Sequence, residues 1–227
     1  MINGCQEAII LCGGLGTRLR SVISDVPKPM APIKNKPFLA FVLEYLKSQN
    51  ITKVILAVSY KYEIIQKYFG ASYLDMEIVY SIEHEPLGTG GAISQALNFI
   101  NGTSVYVLNG DTIFDINLNC LKLNNGKICV ALKHMKNFDR YGSVDIDKDG
   151  NIISFNEKKF TTDGLINGGV YLISQDIFSA CNVNDRFSFE EFFQANFSVL
   201  RAKACVFDEY FIDIGIPQDY QMFIDAN

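Results

Sequence analysis

The chain has 227 residues, of which 48% are hydrophobic and 20% are charged, and its formal net charge is −5. This composition is typical of a folded globular protein and excludes a disordered chain. The negative net charge argues against a general nucleic-acid-binding protein, so we expect no nucleic-acid partner. No apolar stretch approaches the ~20 residues that span a bilayer, so we also expect no membrane association.

Six cysteines are scattered along the chain without a C-x-x-C pair, and His84 and His134 are the two histidines. These spacings do not indicate a zinc site. Residues 1–12 contain Glu7 and lack a basic start, which argues against a signal peptide. Because free thiols suit a reducing compartment, we expect a cytoplasmic protein.

Strand and helix signals alternate along the first half of the chain. Apolar runs predict strands, and apolar spacings of three and four predict helices. In chain order these are a strand at 8–11, a helix at 37–50, a strand at 54–58, a helix at 62–69 that stops at Gly70, a strand at 77–82, a helix at 90–100 and a strand at 105–108. The alternation predicts an α/β fold in which helices cover both faces of a parallel sheet.

The second half carries more strand signals. Strands are predicted at 128–134, 143–147, 152–155, 166–173 and 205–214, and those at 143–147 and 152–155 form a predicted hairpin over 148–151. Ser188 is the predicted N-cap of a helix at 188–197, and Pro217 precedes a last helix at 218–226. Because no linker or repeat interrupts the pattern, we expect a single domain.

A glycine-rich loop follows the first strand. Gly13, Gly14 and Gly16 fall within four residues, and Thr17 and Arg18 follow. Glycine lets backbone N–H groups come close to an anion, and the arginine adds fixed charge and forked donors. The loop therefore predicts a phosphate-binding turn. It lacks both the third glycine of a dinucleotide fingerprint and the G-K-[ST] of a Walker loop.

Three charged residues accompany this loop. Lys28 stands between Pro27 and Pro29, which stiffen the backbone that presents it. Asp111 follows an apolar strand, and Asp213 lies within an apolar run, where a carboxylate needs a partner. Two acids beside a phosphate-binding loop predict Mg²⁺, which takes carboxylates together with phosphate oxygens of the substrate.

Eight short motifs, in this order, resemble those of the sugar-1-phosphate nucleotidylyltransferases, the enzymes that make activated sugars. They are Leu11-Cys-Gly-Gly-Leu-Gly-Thr-Arg-Leu19, Pro27-Lys28-Pro29, Glu85-Pro-Leu-Gly-Thr-Gly-Gly-Ala92, Asn109-Gly-Asp111, Tyr141-Gly142, Phe155-Asn-Glu-Lys158, Asn167-Gly-Gly-Val-Tyr171 and Asp213-Ile-Gly215. The resemblance implies a Rossmann-like, A-type glycosyltransferase-like fold with a mostly parallel mixed sheet flanked by helices. It divides the single nucleotidyltransferase domain, 1–227, into a nucleotide-binding half at 1–115 and a β-rich sugar-binding half at 116–227.

The resemblance also implies a Mg²⁺-dependent reaction in which an NTP and a sugar 1-phosphate give an NDP-sugar and pyrophosphate. Arg18 and Lys28 would be the catalytic cations, at the β/γ-phosphates and near the α-phosphate respectively. Matching positions assign nucleotide contacts to Leu11, Gly13, Gly14, Gly16, Thr17, Glu83, Glu85, Gly88 and Asp111, sugar-phosphate contacts to Asn109, Gly110, Gly142, Glu157, Lys158 and Asn167, and Mg²⁺ ligation to Asp111 and Asp213. Lys159 follows Lys158 and is an alternative ligand for the sugar phosphate.

The stretches at 85–92 and 109–115 look most like those of bacterial guanylyltransferases that act on mannose-type or manno-heptose 1-phosphates and serve capsule or other surface polysaccharide synthesis. GTP is therefore the favoured NTP, and Glu83 or Glu85 would accept hydrogen bonds from guanine N1–H and N2–H₂. The alternatives are a uridylyl-, thymidylyl- or cytidylyltransferase on a hexose 1-phosphate, a glycosyltransferase, and a non-catalytic nucleotide-sugar-binding subunit. The sequence leaves a homo-oligomer open.

Overall fold

The computed structural model describes residues 5–13 and 26–227. The strands are β1 (Glu7–Leu11), β2 (Pro32–Ile33), β3 (Lys36–Pro37), β4 (Lys53–Val58), β5 (Ser72–Tyr73), β6 (Met76–Ile82), β7 (Ser104–Asn109), β8 (Thr112–Phe114), β9 (Ile128–Phe138), β10 (Val144–Ile146), β11 (Ile152–Phe155), β12 (Thr161–Ser174), β13 (Lys203–Phe207) and β14 (Phe211–Asp213). The helices are α1 (Phe38–Ser48), α2 (Tyr62–Phe69), α3 (Gly88–Ala96), α4 (Phe189–Asn196) and α5 (Pro217–Ala226), with 3₁₀ turns at Lys28–Met30, Leu97–Phe99 and Leu118–Cys120.

An eight-stranded sheet forms the centre of the molecule, in the order β13-β9-β12-β7-β1-β4-β6-β5. Strand β1 runs parallel to β4 and β7, β4 runs parallel to β6, and β9 runs parallel to β13. Strand β12 runs antiparallel to both β7 and β9, and so joins strands from the two halves of the chain. The prediction of a mostly parallel mixed sheet flanked by helices is confirmed.

Helices cover the two faces of this sheet. Helices α1, α2 and α5 contribute to one hydrophobic cluster, and α3 and α4 contribute to the other. Within β1, Ala8 and Ile10 belong to the first cluster, whereas Ile9 belongs to the second. A strand buried on both faces alternates in this way, which explains why its sequence is a continuous apolar run. No helix among the described residues has the length and apolar character needed to cross a bilayer.

The prediction of a single strand at 205–214 is wrong. Strand β13 ends at Phe207, and β14 begins at Phe211 and pairs antiparallel with β8 in a separate small sheet. Between them, the Lys133 ammonium donates to the backbone carbonyls of Asp208 and Glu209, at 2.7 and 3.0 Å. An apolar run does not reveal where a chain leaves one sheet for another, because both strands bury the same residue types.

The predicted hairpin in the second half is confirmed, with β10 and β11 paired antiparallel. Its connection is closed by Asp147, whose carboxylate accepts the backbone N–H groups of Asp149 and Asn151, at 2.8 and 2.9 Å. Gly150 supplies a positive φ of 75° in the same turn. The Asn151 side-chain amide donates to the same carboxylate at 2.7 Å. This hydrogen bond, followed by that from the Asn151 backbone N–H, lowers the pKa of Asp147, because both stabilise the charged form.

Candidate active site

The carboxyl ends of the parallel strands β1 and β7 meet at the centre of the sheet, where Leu11 is paired with Asn109. Gly110 donates its backbone N–H to the Leu11 carbonyl at 3.0 Å. A Cβ at Gly110 would lie 2.7 Å from that oxygen, so glycine is what allows the two strand ends to come this close. Asp111 follows directly and is therefore held at the sheet edge where ligands of parallel sheets bind.

Lys28, Asp111 and Asp213 converge at this edge. The Lys28 ammonium forms an ion pair with the Asp111 carboxylate and lies 3.9 Å from the Asp213 carboxylate. The pairing of β8 with β14 sets Asp213 opposite Thr112, which brings the two acids together. Gly215 donates its backbone N–H to Asp213 at 2.7 Å, and the Thr112 hydroxyl donates to Asp111 at 3.2 Å.

The charge at this centre is unbalanced among the described residues, because two carboxylates face one ammonium group. Burial and then the negative charge of Asp111 raise the pKa of Asp213, and the positive charge of Lys28 lowers it. Among the described residues, no group of three or more His, Cys, Asp or Glu side chains is placed to hold a metal. The pair of acids nevertheless fits Mg²⁺, which is commonly held by one or two carboxylates together with substrate phosphates.

Tyr141 supports this centre from the second half of the chain. Its hydroxyl donates to Asp213 at 3.4 Å, and Arg140 donates to the same hydroxyl at 3.0 Å. Arg140 also pairs with Asp219 of α5 at 2.8 Å. Burial and the nearby charge of Asp213 raise the pKa of Tyr141 to about 12, so the phenol stays protonated and donates at neutral pH. The Tyr141-Gly142 motif contains this residue, but its role was not predicted.

A cavity of about 640 Å³ lies beside the charged centre. This volume falls within the range of small-molecule sites in proteins. Seven of the predicted nucleotide- and sugar-phosphate-binding residues line it: Leu11, Gly13, Glu83, Glu85, Gly88, Asn109 and Asp111. Ser59, Thr89 and Glu190 line it as well and were not predicted. Ser59 follows β4, Thr89 belongs to α3 and Glu190 belongs to α4.

Glu83 is held in the wall of this cavity. Its carboxylate accepts the backbone N–H of Leu87 at 3.1 Å, and burial raises its pKa. A Cβ at Gly13 would lie 2.7 Å from this carboxylate, and the Ser59 hydroxyl donates to the Gly13 carbonyl at 2.7 Å. Glu85, the alternative candidate for recognition of the base, is exposed.

Gly13 is the only described residue of the predicted phosphate-binding loop. Gly14, Gly16, Thr17 and Arg18 lie outside the described residues. The roles assigned to these four residues therefore stay predictions.

The glycines after Glu85 have a structural use that was not predicted. A Cβ at Gly88 or at Gly91 would lie 2.5 Å from a backbone oxygen, that of Phe187 or Asp185 respectively. A Cβ at Gly90 would lie 2.2 Å from the Phe187 ring. Gly88 also has a positive φ of 73°. These glycines allow residues 185–187 to pack closely on α3, whereas the resemblance assigned only Gly88 among them, to nucleotide contact.

The predicted sugar-phosphate residues of the second half lie around the hairpin. A Cβ at Gly142 would lie 2.5 Å from the Asn156 carbonyl oxygen, so the chain beyond β9 packs tightly on the end of β11. Glu157, Lys158 and Lys159 follow and are exposed. The structure thus places Lys158 and Lys159 on one exposed segment and does not choose between them.

Asn167 shapes strand β12. Its amide donates to the Tyr171 hydroxyl at 2.7 Å and its carbonyl accepts the Gly169 N–H at 2.9 Å, where the pairing of β12 with β9 is irregular. Gly169 has a φ of 70°, and a Cβ there would lie 2.6 Å from the Asn109 amide. Both polar groups of the Asn167 side chain have protein partners, and one of these partners, Gly169, lies close to the side chain of Asn109, which lines the cavity.

Residues 7–226 match the model of the nucleotidyl transferase family. The chain belongs to this family. It is 61% identical to D-glycero-α-D-manno-heptose 1-phosphate guanylyltransferase from Campylobacter jejuni, over 98% of this chain and 100% of the relative. It is 48% identical to the protein of that name from Aneurinibacillus thermoaerophilus, over 95% and 96% of the two chains. The predicted resemblance to the sugar-1-phosphate nucleotidylyltransferases is confirmed.

A solved structure with the same fold is that of HddC from Yersinia pseudotuberculosis complexed with GMP-PN. It is 38% identical to this chain and superposes with a TM-score of 0.83, over 97% of this chain and 99% of the other. The nucleotidyltransferase fold predicted from the motifs is thereby confirmed.

Proposed function

We propose that this protein transfers GMP from GTP to D-glycero-α-D-manno-heptose 1-phosphate, giving a GDP-sugar for surface polysaccharide synthesis and releasing pyrophosphate. The two relatives from Campylobacter jejuni and Aneurinibacillus thermoaerophilus are named for this activity, which supports the choice of substrates. The observation that carries the proposal is the convergence of Lys28, Asp111 and Asp213 beside a cavity large enough for a nucleotide.

We further propose that the chain forms a single domain, because strands from both halves share one sheet. The proposed compartment is the cytoplasm.

In the proposed reaction, a phosphate oxygen of the sugar 1-phosphate attacks the α-phosphorus of GTP. The bond from that phosphorus to the bridging oxygen of the β-phosphate breaks, and its electrons leave with pyrophosphate. The attacking phosphate is already an anion at neutral pH, so no strong general base is required. The difficulty is to align two anions, and the ammonium of Lys28 supplies fixed positive charge for this purpose.

We propose that Asp111 and Asp213 hold the Mg²⁺ ion. The hydrogen bonds from Thr112 and Gly215 orient these two carboxylates, as hydrogen bonds around metal ligands commonly do. When bound, the ion supplies neutralisation and orientation of the phosphate oxygens. Arg18 and the glycines of its loop are the proposed ligands of the leaving phosphates.

The sugar 1-phosphate is assigned to the space between the two halves of the chain. The proposed contacts are those predicted from the motifs: Asn109, Gly110, Gly142, Glu157, Lys158 and Asn167, with Lys159 as the alternative to Lys158. Asn109 lines the cavity beside Asp111, which supports its assignment.

Pyrophosphate release with Mg²⁺ tests the activity directly. Each of the four NTPs is paired with a panel of mannose-type and manno-heptose 1-phosphates and with hexose 1-phosphates such as glucose 1-phosphate. We expect the fastest release from GTP with the manno-heptose 1-phosphate. Faster release from UTP, dTTP or CTP would favour the corresponding alternative nucleotidylyltransferase, and no release from any pair would reject the enzyme.

Substitution of Glu83 tests recognition of the base. Because the Glu83 carboxylate lies in the cavity wall and would accept two guanine N–H groups, Glu83→Gln is expected to lower kcat/KM for GTP by about 10- to 100-fold. Glu85→Gln separates the two candidate residues: if Glu83 accepts the guanine N–H groups, Glu85→Gln is expected to change kcat/KM for GTP by less than about twofold. A GTP preference that survives both substitutions would contradict base recognition by these acids.

The affinity for GTP is expected to depend on pH through Glu83. Burial raises the pKa of this carboxyl above its ordinary value of 4.5, so protonation removes the acceptor at a higher pH than for an exposed glutamate. GTP binding should therefore weaken as the pH falls through this raised pKa and strengthen above it. Titration of GTP affinity against pH checks this, and Glu83→Gln should abolish that part of the profile. An unchanged profile in this variant would contradict the assignment.

A further inference from the structure

Residues 185–190 are attached to the first turn of α3 by several specific contacts. Phe187 donates its backbone N–H to the Leu87 carbonyl and accepts the Gly90 N–H, both at 3.0 Å. The Thr89 hydroxyl accepts the backbone N–H of Phe189 at 2.8 Å. Together with the close approach at the three glycines, these contacts fix the beginning of α4 against the wall of the nucleotide cavity.

Glu190 is an exposed residue in the first turn of α4 and lines this cavity. One oxygen of its carboxylate, Oε2, accepts the Thr89 hydroxyl at 2.8 Å and the Ser188 hydroxyl at 3.1 Å. The other oxygen, Oε1, accepts no hydrogen bond within the described part of the chain. The N-cap of α4 does not depend on Glu190, because Ser188 accepts the backbone N–H of Glu191 at 3.2 Å.

A carboxylate is purely an acceptor, so it binds hydroxyl or amino groups and repels phosphates. In the proposed reaction, the phosphates are assigned to the charged centre at Lys28 and the guanine N–H groups are assigned to Glu83. The donors that remain on the two substrates are the 2′- and 3′-hydroxyls of the ribose and the hydroxyls of the sugar 1-phosphate.

We infer that Glu190 is a substrate-binding residue whose carboxylate accepts hydrogen bonds from hydroxyl groups of a substrate. This inference rests on the proposed function. The hydroxyl groups of Thr89 and Ser188 hold one oxygen in place. The other oxygen accepts no hydrogen bond from the described part of the chain and is available to a ligand in the cavity that Glu190 lines. Such a preorganised acceptor discriminates strongly against a substrate that lacks the matching hydroxyl.

Glu190→Gln tests this inference, with Glu191→Gln as the matched control in the same turn of α4. Glutamine keeps an oxygen for Thr89 and Ser188 but loses the charge and one acceptor. We expect KM for one substrate to rise about tenfold, which is the loss typical of a hydrogen bond to a charged group. Glu191 is exposed and does not line the cavity, so Glu191→Gln should leave both KM values unchanged.

Two comparisons show whether the hydroxyl group that binds Glu190 belongs to the ribose of GTP or to the sugar 1-phosphate. If it belongs to the ribose, wild-type protein should use 2′-deoxy- or 3′-deoxy-GTP about tenfold less well than GTP, and Glu190→Gln should lose that discrimination. If it belongs to the sugar, KM for the sugar 1-phosphate should rise while KM for GTP is unchanged. Either result supports the inference, and unchanged KM values for both substrates would overturn it.

Direct binding of GTP and of the sugar 1-phosphate, measured by calorimetry, gives a second readout. Glu190→Asp keeps the charge, and its shorter side chain should give an intermediate loss. Wild-type protein that releases no pyrophosphate would reject the proposed function itself. Active wild-type protein with an equally active Glu190→Gln variant would reject only the role of Glu190.

Discussion

Asp111→Asn is expected to lower kcat by about 10²- to 10³-fold, the range found when one preorganised electrostatic contact is removed from an active site. Asparagine has nearly the same shape and still accepts a hydrogen bond from Thr112. It removes one of the two negative charges that face Lys28. The loss should therefore fall on catalysis and on the requirement for Mg²⁺, with the fold retained.

The measurement is pyrophosphate release as a function of Mg²⁺ concentration, together with thermal unfolding. The half-saturating Mg²⁺ concentration is expected to rise in Asp111→Asn, because one metal ligand becomes neutral. Asp115→Asn is the matched control, since Asp115 is exposed just after β8 and should be neutral in both assays. Near-normal turnover of a folded Asp111→Asn protein would remove Asp111 from the site.

Several features of the site could be predicted because they follow from short stretches of sequence. An apolar run that stops at glycine or at a polar residue marks the end of a buried strand, which is how the glycine-rich loop and Asp111 were each placed directly after a strand. The stiff Pro27-Lys28-Pro29 segment indicated a presented cation, and Lys28 does pair with Asp111. Local chemistry was sufficient for these residues.

The features that were missed depend on contacts between distant segments. The separate pairing of β14 with β8 decides where Asp213 lies. Asp208 and Glu209 interrupt the apolar run within 205–214, but they do not show that the residues after them pair in a different sheet. Glu190 could be assigned only to the first turn of a helix, because its approach to the cavity depends on the contact of 185–190 with α3. A glycine pattern indicates a close approach, but it does not tell whether a ligand or the chain itself approaches.

Gly91→Ala tests whether this glycine is required for the close approach of another segment of the chain, and we expect the substitution to destabilise the protein. Helix propensity alone favours alanine by about 1 kcal/mol in the interior of a helix such as α3. The new Cβ would lie 2.5 Å from the Asp185 carbonyl oxygen and 2.8 Å from the Leu87 Cβ. Since a backbone carbonyl cannot rotate away as a side chain does, we expect a net loss of about 1–3 kcal/mol in the free energy of unfolding.

The denaturant-dependent free energy of unfolding gives the sign of this effect. Ser94→Ala, at an exposed position of the same helix, is the matched control and should stabilise by about 0.5 kcal/mol or less from propensity alone. GTP affinity should fall in Gly91→Ala and stay unchanged in Ser94→Ala, because displacement of 185–187 also displaces Glu190 from the cavity wall. If Gly91→Ala stabilises the protein as Ser94→Ala does, the packing of 185–187 on α3 is looser than described, and Glu190 then loses the support that makes it a preorganised acceptor.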